Sequence, residues 1–592
     1  MYPPSITSVS PASARVGETI TITGLRFGPT KELATVKLNG IACEINAWSN
    51  TSISCNVPHT CSGTLIVTTR TNNVVDYGAL GDGATDDTAA IQDAIDDLPP
   101  NGSILYFPAG TYKVKAPAIE TDRILALADT NIKVMGDGMG VSTIKVANAC
   151  PTYQWLLGPD TGATDLTGLE ICDLTFDHNS DNNPVMDAGE IAAWPQYSCG
   201  TYEGSDINLH DFEVVNSSST NNVVVNGVGY AGANITVKNI QSSNIGKIDG
   251  THIEHDMSLF YICGSDYEIS GCTLDGAAGA TVGAVEAHGT DFIIKNNAIT
   301  DFGRGINACG IHVADTENVA VHDNTITDCT AGIVLYSEQY LTHIAGYGLN
   351  GCEVYNNEIT VTPFGGVGDT EPRRGIGVYG SADLDINNLN IHDNNISSTL
   401  ETVPGGWDSN SVGIGWLPEI GSPSTLKNSF ITDNTVTDFP AAGVILNIPI
   451  DTVVVSGNTF TNCGSTMAAG VDDFWKACIS MFNYGSIDTY EISDNVFIDD
   501  NATTRICYFV YLWADLAATD ITLHDNTYSL TGDGVSIIRP LEVDSNLVRP
   551  VIAETILDFV PPIHNVISPG TSIIDGITVW TVGVDELTWT QT

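Results

Sequence analysis

The strongest constraint on this chain is a short phrase that keeps returning. It reads N-A-I-T at Asn297 and N-T-I-T at Asn324. It comes back as N-E-I-T at Asn357, N-I-S-S at Asn395, N-T-V-T at Asn434 and N-T-F-T at Asn458, then as N-V-F-I at Asn495 and N-T-Y-S at Asn526. The gaps are 27, 33, 38, 39, 24, 37 and 31 residues. A core turn of roughly 25 residues with loops inserted in some turns gives such gaps. Val, Ile and Thr dominate between the repeats, and no stretch there keeps apolar residues at helical spacing for three turns. One such strand cannot bury its apolar face alone. Stacked copies can, with the inner faces making a continuous core. The expectation is an all-β parallel β-helix. The Asn is expected to serve twice, tolerating a left-handed bend and bonding to the Asn one rung away.

Around this solenoid the chain divides into a small β unit at 1–71, a cap and first coil at 72–125, coils with inserted loops at 126–531, and a terminal β cap or oligomerisation region at 532–592. The first unit alternates apolar and polar residues through seven short strands, as a β-sandwich does. It resembles the immunoglobulin-like IPT/TIG family in Pro4, Ile6 and Pro11, in the run from Gly17 to Gly24, and in the cysteine pair Cys43 and Cys55. That resemblance implies a spacer, adaptor or binding module.

The next stretch supplies a helix over Thr85 to Asp97 with Ala89, Ile91, Ala94 and Ile95 on one face, started by Asp86 or Asp87. The run I-L-Y-F-P-A-G-T-Y-K-V then reads as a strand, a turn and a strand. Helix and strand pair are expected to form a lid over the solenoid end. The words D-Y-G-A-L-G-D-G-A-T-D-D-T-A-A-I-Q at Asp76 to Gln92, and F-P-A-G-T-Y at Phe107 to Tyr112, resemble the opening of pectate-lyase-like right-handed β-helix proteins. That superfamily includes polygalacturonase relatives, mannuronan epimerases and bacteriophage tailspike depolymerases. The resemblance implies the fold and a polysaccharide substrate or surface glycan. The tailspike relatives imply a homotrimer and an extracellular or virion-surface location. A fold alone does not fix a reaction.

Charge narrows the partners. Lys plus Arg number 21 against 71 Asp plus Glu, for a formal net charge of -50. Such a surface repels nucleic acid and anionic lipid. No run approaches a membrane span. Binding a uronate chain would need a local basic patch or calcium. The opening M-Y-P-P-S-I-T-S-V-S has neither the basic region nor the apolar run of a secretory signal, a feature weighed toward a virion protein. The 14 cysteines form no metal signature and read as buried thiols.

The densest polar stretch holds Lys247, Asp249, His252, Glu254, His255 and Asp256. Residues two apart on a strand share a face, so His252, Glu254 and Asp256 point together. Glu286 and His288 are again two apart, and Arg304, His312 and Asp315 follow. Stacked on neighbouring coils, these make a groove for a chain-like substrate. A carboxyl pair such as Glu254 and Asp256, or either with Glu286, can split a glycosidic bond. A lyase or epimerase would use His252 or Tyr261 as base, with Lys247 or Arg304 on the sugar carboxylate. His288 belongs to the same catalytic set. His312, Asp315, Trp407 and Trp416 are expected to contact substrate, the tryptophans from an inserted loop between Leu400 and Ser424. A second interruption, at 151–205, carries Trp155, Trp194, Tyr197 and Tyr202. The stretch Ile253 to Asp256 does not match the epimerase word D-P-H-E, and the polygalacturonase words are absent. The leading expectation is a viral tailspike-like protein that binds, and in its enzymatic form depolymerises, a host surface polysaccharide. A secreted lyase, hydrolase or C5-epimerase comes second. A non-enzymatic adhesin or structural virion protein comes third.

Overall fold

The structure is a computed structural model. It describes the chain except residues 1–3, 32–33, 59–62, 101, 118–120, 152, 161–165, 184–196, 218–221, 226–231, 246–257, 277–282, 303–308, 338–346, 363–373, 381–383, 400–410, 419–423, 465–474, 484–486, 501–507, 515–517, 531–538, 544–550, 554–577, 583–586 and 592. It divides into two compact units, residues 1–243 and 244–592.

The first unit begins with seven strands in two antiparallel sheets. Ser5–Ser10, Thr19–Leu25, Ser52–Asn56 and Glu44–Trp48 form one, and Ile41–Ala42, Thr35–Leu38 and Leu65–Thr68 the other. The period-two pattern sends Ile20, Ile22, Val36, Ile53 and Cys55 into a shared core with Phe27. Cys43 joins the same core.

The helix spans Thr88–Asp96 and buries Ile91, Ala94 and Ile95. The two aspartates before it divide the work. Asp86 accepts from the Thr88 amide at 3.1 Å, whereas Asp87 turns back to the amides of Leu80 and Gly81 at 2.7 and 3.1 Å. The strands after the helix are not part of a lid. Ser103–Phe107 pairs in parallel with Thr71–Asn73 and Ile132–Gly136, and Gly110–Val114 with Asp82–Asp86 and Ser142–Val146. They lie in two different sheets of the first coil, because F-P-A-G is a solenoid corner and not a hairpin turn.

The described residues of 151–205 also continue the coils. Tyr153–Pro159 pairs with Thr121–Leu127 and with Tyr197–Thr201. Trp155 is fully buried, edge-on to Tyr197 at 4.5 Å and to Tyr202 at 5.2 Å. These aromatics are packing, as their buried area favours. Trp194 lies outside the described residues.

In the second unit each early coil is a long bent strand followed by a short one. Ser258–Ser270, Gly283–Lys295 and Ile311–His322 stack in parallel, each bending at a left-handed residue, Asp266, Asp291 or Asn318. Gly271, Asn296 and Asp323, also left-handed, then turn the chain into Thr273–Gly276, Ala298–Thr300 and Thr325–Cys329. Parallel pairing continues to Val551–Ala553, past the point where the repeated words fade. Thr578–Val582 and Leu587–Gln591 form an antiparallel hairpin.

The asparagines do form a ladder. Asn297 Nδ2 donates to Asn324 Oδ1 at 2.9 Å, Asn324 to Asn357 at 3.0 Å, and Asn357 to Asn394 at 2.9 Å. Asn394, Asn434, Asn458, Asn495 and Asn526 continue it at 2.9 to 3.0 Å. Two details differ from the sequence expectation. The fourth rung is Asn394, which is buried, while Asn395 is exposed and donates to Glu358. The two jobs given to one Asn also fall to two residues. The left-handed angle belongs to the residue before each rung, including Asp323, Asp393, Asp433 and Gly457. The rung itself is freed for hydrogen bonding.

Candidate active site

The long strands place three of the expected residues together. Phe260, Ile262, Val285 and Ala287 are fully buried in the coil core, and Tyr261, Glu286 and His288 alternate with them on the opposite, outward face. In-register pairing puts Tyr261 beside Glu286, and Glu286 beside His312 of the next coil. Glu286 and His288 stand two apart on one strand, so their side chains meet: His288 Nε2 lies 3.0 Å from Glu286 Oε1. Ser258 donates to the other carboxylate oxygen at 3.0 Å. The Tyr261 ring is 5.4 Å from the imidazole. Although outward-facing, Glu286 and His288 are only 5% and 4% exposed. A carboxylate sharing a hydrogen bond with an imidazole in a shielded place is equipped for proton transfer.

The backbone is shaped around this pair. Gly289 has φ +110°, and a Cβ there would lie 1.9 Å from the Gly264 carbonyl oxygen. In the next strand the register shifts by one, so that His288 pairs with Ala314 but Gly289 with Thr316. Asp315 is therefore the extra residue of a β-bulge, a device that re-aims neighbouring side chains.

Other expected residues are placed only by backbone, or not at all. His312 and Asp315 lie in Ile311–His322. Trp416 lies in the strand Val412–Pro418, in register with Val378 and Leu446 of adjoining coils. This part of the presumed loop is thus a coil rung, because V-G-I-G-W-L repeats the alternation of R-G-I-G-V-Y one coil earlier. Lys247, His252, Glu254, Asp256, Arg304 and Trp407 lie outside the described residues.

The sequence reading missed Ser258, which carries no motif and acts only through the register of its strand with that of Glu286. It also missed an outward cluster higher on the same sheet. Tyr336 stacks on Tyr379 with centroids 5.5 Å apart, and the Arg374 guanidinium lies 4.4 Å from the Tyr379 ring centre. Gly377 makes room, since a Cβ there would meet Arg374 and Tyr379 at 3.1 and 3.2 Å. Among the described residues, one His/Cys/Glu group is close enough to hold a metal: Glu170, Cys172 and His210.

Comparison with known proteins agrees with this architecture. Residues 71–334 match the family described as rhamnogalacturonase A/epimerase, pectate lyase-like, and residues 4–85 match the IPT/TIG domain. Mannuronan C5-epimerase AlgE2 of Azotobacter vinelandii is 36% identical over 123 residues, covering 21% of this chain and 12% of that protein. Alginate lyase 7 of the same organism is 33% identical over 138 residues, covering 23% of this chain and 16% of that one. The chain thus spans only a small part of the length of these relatives. A tailspike protein of E. coli bacteriophage HK620, solved with a pentasaccharide, shares the fold with a TM-score of 0.58 over 78% of each chain, at 14% identity. No helix among the described residues is long and apolar enough to cross a membrane. Stacked parallel coils and a helix at their start agree with both sequence matches: residues 71–334 are pectate-lyase-like and residues 4–85 match the IPT/TIG domain.

Proposed function

We propose that this protein binds a chain-like polysaccharide on the outer face of its coils and cleaves it at Glu286 and His288, as a tailspike-like surface depolymerase. The observation that carries this reading is the Glu286–His288 pair itself, outward-facing yet shielded, with hydrogen-bond geometry at 3.0 Å. Named relatives supply the substrate class. The epimerase and lyase act on uronate polysaccharides by name, and the tailspike neighbour holds a pentasaccharide.

In this reading Glu286 protonates the leaving glycosidic oxygen and His288 holds that proton between turnovers. Glu254 or Asp256 supplies the second carboxylate that activates water or attacks. Arg304 and Lys247 steady anionic groups, and His312, Asp315, Trp407 and Trp416 line the path of the chain. Where the substrate is a uronate, calcium would offset the local repulsion between its carboxylates and this acidic surface. The setting is a virion or extracellular surface, and the assembly is a homotrimer.

A second reading, elimination or C5-epimerisation, is favoured by the company Glu286 keeps. Its neighbours are an imidazole and a phenol, groups suited to removing the proton at C5.

Product analysis after incubation with host-type and uronate polysaccharides separates these readings. Shortened chains that gain water support hydrolysis, and an unsaturated end marks elimination. Glu286→Gln is expected to remove activity by at least about 100-fold while leaving binding. Unchanged chains across the panel, with binding intact and epimerisation excluded, would reduce the protein to a receptor-binding rod.

A further inference from the structure

We propose a second site, remote in sequence from the first: a zinc-type metal site formed by Glu170, Cys172 and His210 in the first unit. Glu170 and Cys172 are two apart on the strand Glu170–Cys172 and so share a face. His210 ends the strand Ile207–His210, which pairs in parallel with it, and sits directly opposite Cys172. The three residues occupy the corners of a triangle about 6.6 by 4.8 Å between Cα positions. Their ligand atoms all lie within 4.8 Å of one another. A tetrahedral zinc ion with bonds of about 2.0–2.3 Å needs those atoms roughly 3.3–3.6 Å apart, a change within reach of small side-chain rotations.

The histidine is held by carboxylates on both sides. His210 Nδ1 lies 2.7 Å from Asp211 Oδ2, so the carboxylate takes the Nδ1 hydrogen. The other ring nitrogen, Nε2, faces Glu170 Oε1 at 3.1 Å. A metal on Nε2 would take the place of the proton that otherwise bridges this atom to Glu170. A carboxylate on the far nitrogen is also the usual support of a metal-binding histidine. The same Glu–His–Asp arrangement recurs at Glu491, His524 and Asp525, where Nε2 stands 3.3 Å from Glu491. The thiol distinguishes the first copy. Cys172 is 1% exposed against Ile104, Tyr106 and Met135, and supplies a soft ligand on an apolar floor. The carboxylate and imidazole are 30% and 23% exposed, which leaves an entry path and an open coordination position. Lys133 is the competitor, with its ammonium 3.0 Å from Glu170 Oε1. A bound cation must displace it.

The test uses the full chain, stripped with a chelator and titrated with zinc against a chromophoric competitor, then with cobalt to read the thiolate-to-metal charge-transfer band. One equivalent is expected to bind with that band present. Asp211→Asn should weaken binding by about 10–100-fold. Cys172→Ser should weaken it further and erase the band. Lys133→Met, which keeps the stem and removes the charge, should tighten it. Absence of stoichiometric binding, or cobalt binding without the band, would overturn the proposal. So would a Lys133→Met protein that binds no better than the wild type.

Discussion

The same corner of the coil is built in two chemistries. In the residues that follow Asp173, Asp211 and Asn239, each left-handed, the inward position holds Leu174, Phe212 and Ile240, all fully buried. From Asn297 onward, that position holds the asparagine ladder. The backbone bond is equivalent in both: the amide of Glu213 donates to Leu174 and that of Thr325 to Asn297, each at 2.8 Å. Apolar corners gain from contact area without regard to direction. Each ladder rung instead fixes position, because Asn434 donates to Asn458, Ile391 and Thr432 and accepts from Asn394. The two regions also bury polar groups differently. The ladder holds only amides, which do not titrate. The first unit buries His178 between Tyr153 at 2.7 Å and Ser198 at 2.6 Å, with Ser198 3.2 Å from Asn222. If the serine hydrogen goes to Asn222, Nε2–H donates to Ser198 and the phenol donates to Nδ1, satisfying a neutral ring.

The largest expected effect lies in the apolar corner. Phe212→Ala opens a cavity beside Phe176, 5.7 Å away, and should cost about 3–5 kcal/mol in urea unfolding. Next comes the ladder. Asn434→Ala strands the amides on both sides and should cost about 1–3 kcal/mol. Leucine sharpens the contrast: it should be tolerated far better at Phe212 than at Asn434, and equal costs would show that the ladder is only packing. Acid sensitivity follows. Burial lowers the pKa of His178 from 6.5 to about 4. A base held neutral by the fold contributes fully above about pH 6.5 and loses that contribution as the pH falls toward 4. From this group, the first unit should be about 2 kcal/mol less stable at pH 5 than at pH 8, read by hydrogen exchange. Asn395→Ala, one residue from a rung but exposed, should change stability by no more than about 0.5 kcal/mol.

This contrast also explains what the sequence revealed. The ladder coils announced themselves because a polar residue recurring in an apolar frame is conspicuous. In the first unit Leu174, Phe212 and Ile240 share a position without sharing a letter pattern. The slip to Asn395 was avoidable, since every other rung stands two residues before its apolar partner, as Asn357 does before Ile359 and Asn394 before Ile396. Glu286 and His288 could be paired from their spacing alone. Ser258 could not, and neither could the Tyr336–Tyr379 stack, because each depends on which residues face across coils separated by insertions of unequal length. Trp416 was assigned to a loop because its tryptophan and neighbouring glycines outweighed a strand pattern that the preceding coil repeats.

The ladder has one more consequence. Every rung presents the same face to the next, so nothing in it counts how many coils there are. Removing residues 434–457 would bring Asp433 directly onto Asn458, a left-handed residue followed by a rung, and Asn394 would meet Asn458 in place of Asn434. Such a splice is invisible to its neighbours, whereas a cut that does not run from one rung to another breaks the amide chain. The rod can therefore be lengthened or shortened over generations in whole coils without redesigning the coils on either side.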